Sequence, residues 1–279
     1  MKTEHCISHD CTPLQDNSNN LLMEIALVVI VALAGAFLSF FSGFGLGTLL
    51  LPAFLVLFPP PVAIAATAVV HMLNNLFKLF LVGRFAQRAV IIAFGITSVI
   101  GAWLGAQGMS ALAESGTLYT WSAAGHTFSV GPMSLVIGLL IIAFALLESW
   151  EKFEKLIIPK KWFPVGGLIS GFFGGLSGHQ GALRSAFLMK SGMSKEAFMG
   201  NRVVLACLVD LTRIAVYAGA IRAGWSEIDP TSLLLATLAA FTGAWFGNKY
   251  MKKVELGVIH RIVTVSLLVF GLAMAIGLV

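Results

Sequence analysis

Apolar residues fill ten stretches of the chain, at 24–41, 46–58, 62–82, 88–107, 131–148, 163–176, 182–190, 197–221, 231–248 and 260–278. Seven reach the ~17 to 25 residues that an α-helix needs to cross a ~30 Å hydrocarbon core. The stretches 46–58, 163–176 and 182–190 do not, and they adjoin the glycine clusters "SGFGLG" (42–47) and "SGFFGGLSGHQG" (170–181). That pattern predicts broken or re-entrant helices. Lipid cannot satisfy free backbone N–H and C=O groups, so such breaks must be buried in protein or line a watery path.

The order of elements repeats. "LSFFSGFGLGTLLLPAFLVL" followed by "AATAVVHMLNNLFKLFLVG" is answered by "ISGFFGGLSGHQGALRSAFLMK" followed by "MGNRVVLACLVDLTRIAVYAG". Each half gives a glycine-broken hairpin and then a long helix with polar residues in its middle. One helix later "GAWLG" (101–105) answers "GAWFG" (243–247). The first runs on into the uncharged "AQGMSAL" and the second into "NKYMKKVEL", so equivalent ends fall on opposite sides of a membrane. The expected fold is therefore an all-α polytopic membrane protein of two inverted-topology repeats, each opening on a glycine-broken or re-entrant hairpin. Its expected divisions are a flexible polar tail (1–20), repeat 1 (21–148), a cytoplasmic interfacial connector (149–162) and repeat 2 (163–279).

Polar residues inside these spans are few and aligned. His71, Asn74, Asn75 and Lys78 share one helix face, while on the later helix Arg202 and Arg213 lie about three turns apart, with Asp210 and Tyr217 near the line of Arg213. The second break adds His179, Gln180 and Arg184. An ionisable residue at membrane depth costs at least ~2.5 kcal/mol and normally faces a cavity or a partner. Asp210 and Arg213, at i and i+3, are either part of a site or a pair that holds helices together. His179 is either a ligand or a packing residue. For the whole set the cations outnumber Asp210, which favours an anion, as do the N–H groups where a broken helix restarts. The expected substrate-binding residues are His179, Gln180, Arg184, Asn74, Asn75, Lys78, Arg202 and Arg213. The expected coupling residues are Asp210 and His71, serving a proton or a sodium ion.

Composition agrees with a membrane chain: 58% hydrophobic and 11% charged residues, with a mean hydropathy of +0.90. The net charge of +5 resides in short loops, where membrane topology accounts for it and nucleic acid is not needed. Arg84, Arg88, Lys152, Lys155, Lys160, Lys161, Lys190, Lys195, Lys249, Lys252 and Lys253 mark the cytoplasmic side. The segment 108–130 has no lysine or arginine, and neither does the chain beyond Arg261, so both face outward. The tail, "MKTEHCISHDCTPLQDNSNN", lacks the pattern of a cleavable signal peptide. His5, Cys6, His9 and Cys11 fit no standard structural zinc spacing and read as part of a disordered tail, with metal binding there, or pairing of the two cysteines in an oxidising compartment, left open; no cofactor or metal is otherwise expected. An intramembrane enzyme would need a nucleophile or a metal set, and HExxH, GxSxG and CxxC are absent. A membrane anchor or sensor would need a signalling domain that this chain has no room for.

The two "SGF" hairpins (42–44 and 170–172), the order of the half-repeats and the glycine-rich fourth helix resemble the sulfite exporter (TauE/SafE) family, also called the toluene sulfonate uptake permease family. The resemblance spans the chain from about residue 24. It implies a bacterial inner-membrane permease for sulfite, sulfonates or related small anions, with lipid and the substrate as partners. "GGLSGHQGALR" stands where family members often have a "GxGGG" repeat, a departure that bears on the substrate.

The lysine and arginine asymmetry places both termini outside and the 149–163 connector inside. Cysteines introduced into the connector should react with a membrane-impermeant thiol reagent only after the cells are opened. Labelling from outside intact cells would overturn the topology.

Overall fold

The computed structural model describes residues 14–39, 46–123, 125–150, 158–189, 191–223, 230–250 and 257–278. The tail cluster His5, Cys6, His9 and Cys11 and most of the connector, including Lys152 and Lys155, lie outside these residues, as does the centre of the first glycine break.

Ten helices carry the described chain: α1 (Leu14–Leu38), α2 (Leu46–Leu57), α3 (Pro60–Val82), α4 (Arg88–Ala113), α5 (Pro132–Ser149), α6 (Phe163–Ser177), α7 (Gly181–Leu188), α8 (Lys195–Ala223), α9 (Pro230–Tyr250) and α10 (Gly257–Ala275). The protein is an all-α polytopic membrane protein. Four helices, α3 (extended to Phe85), α4, α5 and α9, are long and apolar enough to cross a bilayer. Their outer faces carry large apolar side chains such as Phe80, 89% exposed, and Ile92, 62% exposed. α1 begins at Leu14, inside the segment expected as a tail, because a helix nucleated in the apolar run gains a hydrogen bond with each residue added.

The three short stretches fold into two broken hairpins, α2 with α1 and α6 with α7. α2 returns along α1, so that Leu27 and Val31 lie with Ala53 and Val56, while Gly35 lies against Leu46. α7 returns along α6, with Gly166 against the ring of Phe187. The turn of the second hairpin is set by Gly178, whose φ of 86° ends α6 in the left-handed region that glycine enters without a steric cost. The two breaks come close in the middle: a Cβ at Gly47, at the restart of α2, would lie 3.4 Å from the Gly178 carbonyl oxygen and 3.7 Å from the ring of His71.

Segment 108–130, expected as a loop, holds the end of α4 and then an antiparallel hairpin, β1 (Tyr119–Ala123) and β2 (His126–Val130). Its sequence alternates and turns at Gly125, with φ 80°, which is a strand signal masked by the surrounding helices. Trp121 Nε1 donates to the Ile276 carbonyl at 2.6 Å and ties the hairpin to the end of α10. The bundle thus has a hairpin end and a basic end, the latter carrying Arg84, Arg88, Lys160, Lys161 and Lys195. The α1–α2 hairpin enters from the hairpin end and the α6–α7 hairpin from the basic end.

The largest helix interfaces are α4 with α6, α1 with α9, α3 with α8 and α5 with α10. Exchanging α1 for α6, α2 for α7, α3 for α8, α4 for α9 and α5 for α10 maps this set onto itself. Glycines let the helices approach. A Cβ at Gly101 or Gly105 would strike the backbone of α6, and one at Gly167, Gly171 or Gly175 would strike the backbone of α4. On the matching interface, Gly243 of α9 meets the Leu33 carbonyl of α1.

Gly105 and Gly108 make a controlled pair. Gly105→Ala drives a methyl into the Phe172 carbonyl, whereas at Gly108 the nearest atom is Leu176 Cδ1 at 3.7 Å, an ordinary contact. Gly105→Ala should therefore cost about 1 to 3 kcal/mol by overpacking, and Gly108→Ala should be neutral or stabilising by up to about 1 kcal/mol through helix propensity. Thermal unfolding of both variants in the same detergent checks the difference in sign.

Candidate functional site

α3 and α8 cross antiparallel in the centre of the bundle, with Gly200 beside Val82 and His71 opposite Asp210. Their polar stripes therefore face each other, and the breaks cap them from both sides. Ten of the residues at this crossing were expected from the sequence, and the structure divides them between two levels. The reason is the helix rise: Arg202 and Arg213 share a face, yet eleven residues at 1.5 Å separate them by about 16 Å.

The level nearer the hairpin end is organised by Asp210, which is completely buried. Its Oδ2 lies 2.7 Å from His71 Nδ1 and accepts from Asn75 Nδ2 at 2.9 Å. Its Oδ1 accepts from Arg213 Nε at 3.1 Å. The carboxylate thus joins α3 to α8. Arg213 is also completely buried, and its Nη1 and Nη2 have no hydrogen-bond partner. They point at Gly178 in the second break, where an added Cβ would sit 2.7 Å from Nη1. His179 in the same break shares a hydrogen bond between Nδ1 and Ser177 Oγ at 2.8 Å, stacks on Phe144 at 5.5 Å and leaves Nε2 without a partner.

One turn beyond Arg213, Tyr217 donates to the Gly175 carbonyl at 2.6 Å and so fastens the end of α6 to α8. Its other side borders a cleft of about 390 Å³ that Pro61, Ile64, Met109, Glu114 and Met133 also line. The cleft therefore reaches from the hairpin end to within one turn of Arg213.

The level nearer the basic end is cationic. Lys78 Nζ donates to Ser39 Oγ at 2.6 Å, beside the first break. With the Asn74 amide in its satisfied orientation, its Oδ1 accepts from Lys78 Nζ and its Nδ2 donates to the Ala240 carbonyl, each at 3.1 Å. Arg184 Nη1 donates to Gln180 Oε1 at 2.8 Å. Arg202 lies over the Phe198 ring at 5.3 Å. Lys78, Arg184 and Arg202 repel one another within electrostatic reach. Arg184 Nε, Arg202 Nε and Gln180 Nε2 are buried donors without acceptors. Four cations, Lys78, Arg184, Arg202 and Arg213, stand against two carboxylates, Asp210 and Glu148, among the described buried side chains.

The sequence pattern did not single out Glu148, Ser39, Ser177 or Phe144. Glu148 sits where the apolar run of α5 gives way to "ESWEKFEK" and reads there as the start of a charged connector. The serines look like ordinary small residues of a break. Only their meeting in space gives them partners. Among the described residues, no three His, Cys, Asp or Glu side chains are grouped to hold a metal ion.

A family model described as "Sulfite exporter TauE/SafE" matches residues 27–274, nearly the whole chain. No curated protein and no solved structure gives a significant match.

Removing one member of a buried ion pair leaves the other charge uncompensated, at a cost of about 3 to 5 kcal/mol. Asp210→Asn should therefore lower the melting temperature of the purified protein sharply, because Arg213 loses its counter-charge. Asp210→Asn combined with Arg213→Gln should recover part of that loss. A double-mutant cycle on thermal stability measures the coupling, and strictly additive losses would show that the pair contributes nothing.

Proposed function

The chain belongs to the sulfite exporter TauE/SafE family of membrane transporters, and from that premise we propose that it carries a small anion across the cell membrane by alternating access between two inverted halves. The anion is a sulfur-containing oxyanion, sulfite or an organosulfonate. One observation carries the reading: Arg184 Nε, Arg202 Nε, Arg213 Nη1 and Nη2 and Gln180 Nε2 are all buried N–H donors that lack acceptors. A buried donor left unpaired costs about 1 to 3 kcal/mol, more when charged. A sulfite or sulfonate group offers three oxygens and a negative charge, which answers both the surplus of donors and the surplus of cations.

Within this reading the anion enters by the cleft at the hairpin end, passes Tyr217 and meets Arg213, with His179 beside it. It then reaches Arg184, Gln180, Arg202 and Lys78, with Asn74 holding the lysine. The exchange of helix partners between the halves, with one hairpin entering from each end, supports the inverted repeat. In such a repeat, rocking one half against the other opens each side in turn. The basic end faces the cytoplasm by the positive-inside rule, which leaves both termini outside.

In this reading Asp210 and His71 serve the coupling to a proton or a sodium ion. Their contact runs from α3 of one half to α8 of the other, so a change of charge there biases how the halves sit.

Arg184 offers the direct test. A guanidinium can hold an oxyanion with two parallel hydrogen bonds, which an ammonium cannot. Arg184→Lys should weaken anion affinity and Arg184→Ala should weaken it further, by about ten- to a hundredfold for a lost charge-assisted contact of about 1.5 to 3 kcal/mol. Sulfite and a panel of sulfonates are titrated into purified variants, with melting temperature recorded alongside and flux followed in proteoliposomes. Unchanged affinity with lowered stability would remove Arg184 from the site.

A further inference from the structure

Glu148 lies near the end of α5, and neither the anion site nor the coupling pair above makes use of it. Its side chain is buried and its Oε2 accepts no hydrogen bond. Phe144, one turn earlier on the same helix face, stacks on His179 in the second break. α5 also packs against α7, the helix of Arg184. Glu148 therefore lies where α5 meets the cationic level, and Arg202 acts on it electrostatically although no hydrogen bond or ion pair joins the two in this structure, so that Glu148 Oε2 and Arg202 Nε are both buried and both unpaired. The other charged or titratable groups on the elements that α5 meets there are Arg184 on α7 and His179 in the break, while Arg202 on α8 and Lys78 on α3 complete the cationic level. Arg261 on α10 is exposed, and so are Arg88 and Glu114 on α4.

A carboxylate is itself an oxyanion, with the charge and the paired acceptor oxygens that a guanidinium recognises. We infer that Glu148 is a tethered competitor of the transported anion, occupying Arg202 when ionised and releasing it to the substrate when protonated. This rests on the reading of the Arg184, Arg202 and Lys78 level as an anion site. The exchange balances: one proton binds the Glu148 carboxylate, one anion binds the freed guanidinium, and the net charge of the cluster is unchanged. That constancy matters in a membrane. An uncompensated buried cation costs several kcal/mol, so a carrier returning without cargo needs an internal anion in its place. Binding at this level therefore takes up one proton per anion.

The test uses methanesulfonate, the anion of a strong acid, which stays ionised across the range and so carries no titration of its own. Its affinity for the purified full-length protein is measured from about pH 6 to about pH 9, and linkage of one proton limits the slope to about tenfold per pH unit. The wild type should bind more weakly as pH rises. Glu148→Gln should bind at every pH with the tighter affinity of the protonated wild type, and Glu148→Asp should keep the slope. Calorimetry in two buffers of different ionisation enthalpy should show up to one proton taken up by the wild type for each anion bound, which needs no variant to fold. A wild type with no pH slope and no proton uptake would overturn the inference, and so would Glu148→Gln with an unaltered slope. Absence of methanesulfonate binding in both wild type and Glu148→Gln would instead overturn the anion-site reading beneath it.

Discussion

Charge buried at membrane depth needs compensation from inside the protein, and Asp210 is where the two halves supply it together. Its two oxygens are engaged by His71 and Asn75 from α3 and by Arg213 from its own helix. Each of those partners would be expensive without it, since an ion or a polar group removed from water must be paired or hydrogen-bonded. The α3–α8 crossing is therefore held by polar groups rather than by apolar packing alone. The other buried polar groups hang from that crossing: Lys78 three residues along from Asn75, Arg202 two turns before Asp210, and Tyr217 one turn beyond Arg213.

Packing around the crossing comes from small residues. Between two helices in lipid there is little hydrophobic gain, so the attraction is van der Waals contact at close range. The glycines of α4 and α6 allow backbone against backbone, and Gly243 does the same between α9 and α1. The consequence is a division of labour. Each broken hairpin is clamped to a long helix of the opposite half, while the halves also meet through polar contacts that can exchange partners. Within its own half, Tyr217 of α8 fastens the end of α6 by donating to the carbonyls of Gly175 and Leu176.

Much of the fold was legible because lipid imposes one rule on the backbone. The length of each apolar run separated full spans from broken ones, and α2, α6 and α7 came out short, as 46–58, 163–176 and 182–190 foretold. The site was legible as a list of residues but not as an arrangement. Helical phase put Arg202 and Arg213 on one face, and phase says nothing of depth along the axis. Glu148 escaped because a carboxylate at the end of a span looks the same in sequence whether it faces water or turns inward. The small hairpin of β1 and β2 escaped for another reason: short alternation is a weak signal beside helical runs of twenty apolar residues.

The two breaks are equivalent in position and unequal in chemistry. In the second, His179, Gln180 and Arg184 fall within six residues, and each is buried. At the first, the described flanks offer Ser39, Gly47 and Thr48, small groups that receive Lys78 or admit a neighbour. A repeat that kept both breaks charged would bring two sets of cations together where Gly47 comes close to Gly178, and their repulsion in a low-dielectric interior would be severe. Placing the guanidinium in one break and a small partner in the other avoids that cost. It also means that the half containing α6 to α10 carries three of the four described buried cations, Arg184, Arg202 and Arg213, with the first half contributing Lys78 and the Asn75 and His71 contacts that hold Asp210. Under the alternating access proposed above, a motion of one half against the other would change which partners the cations have, and a movement of helices would thereby become a change in the grip on an anion.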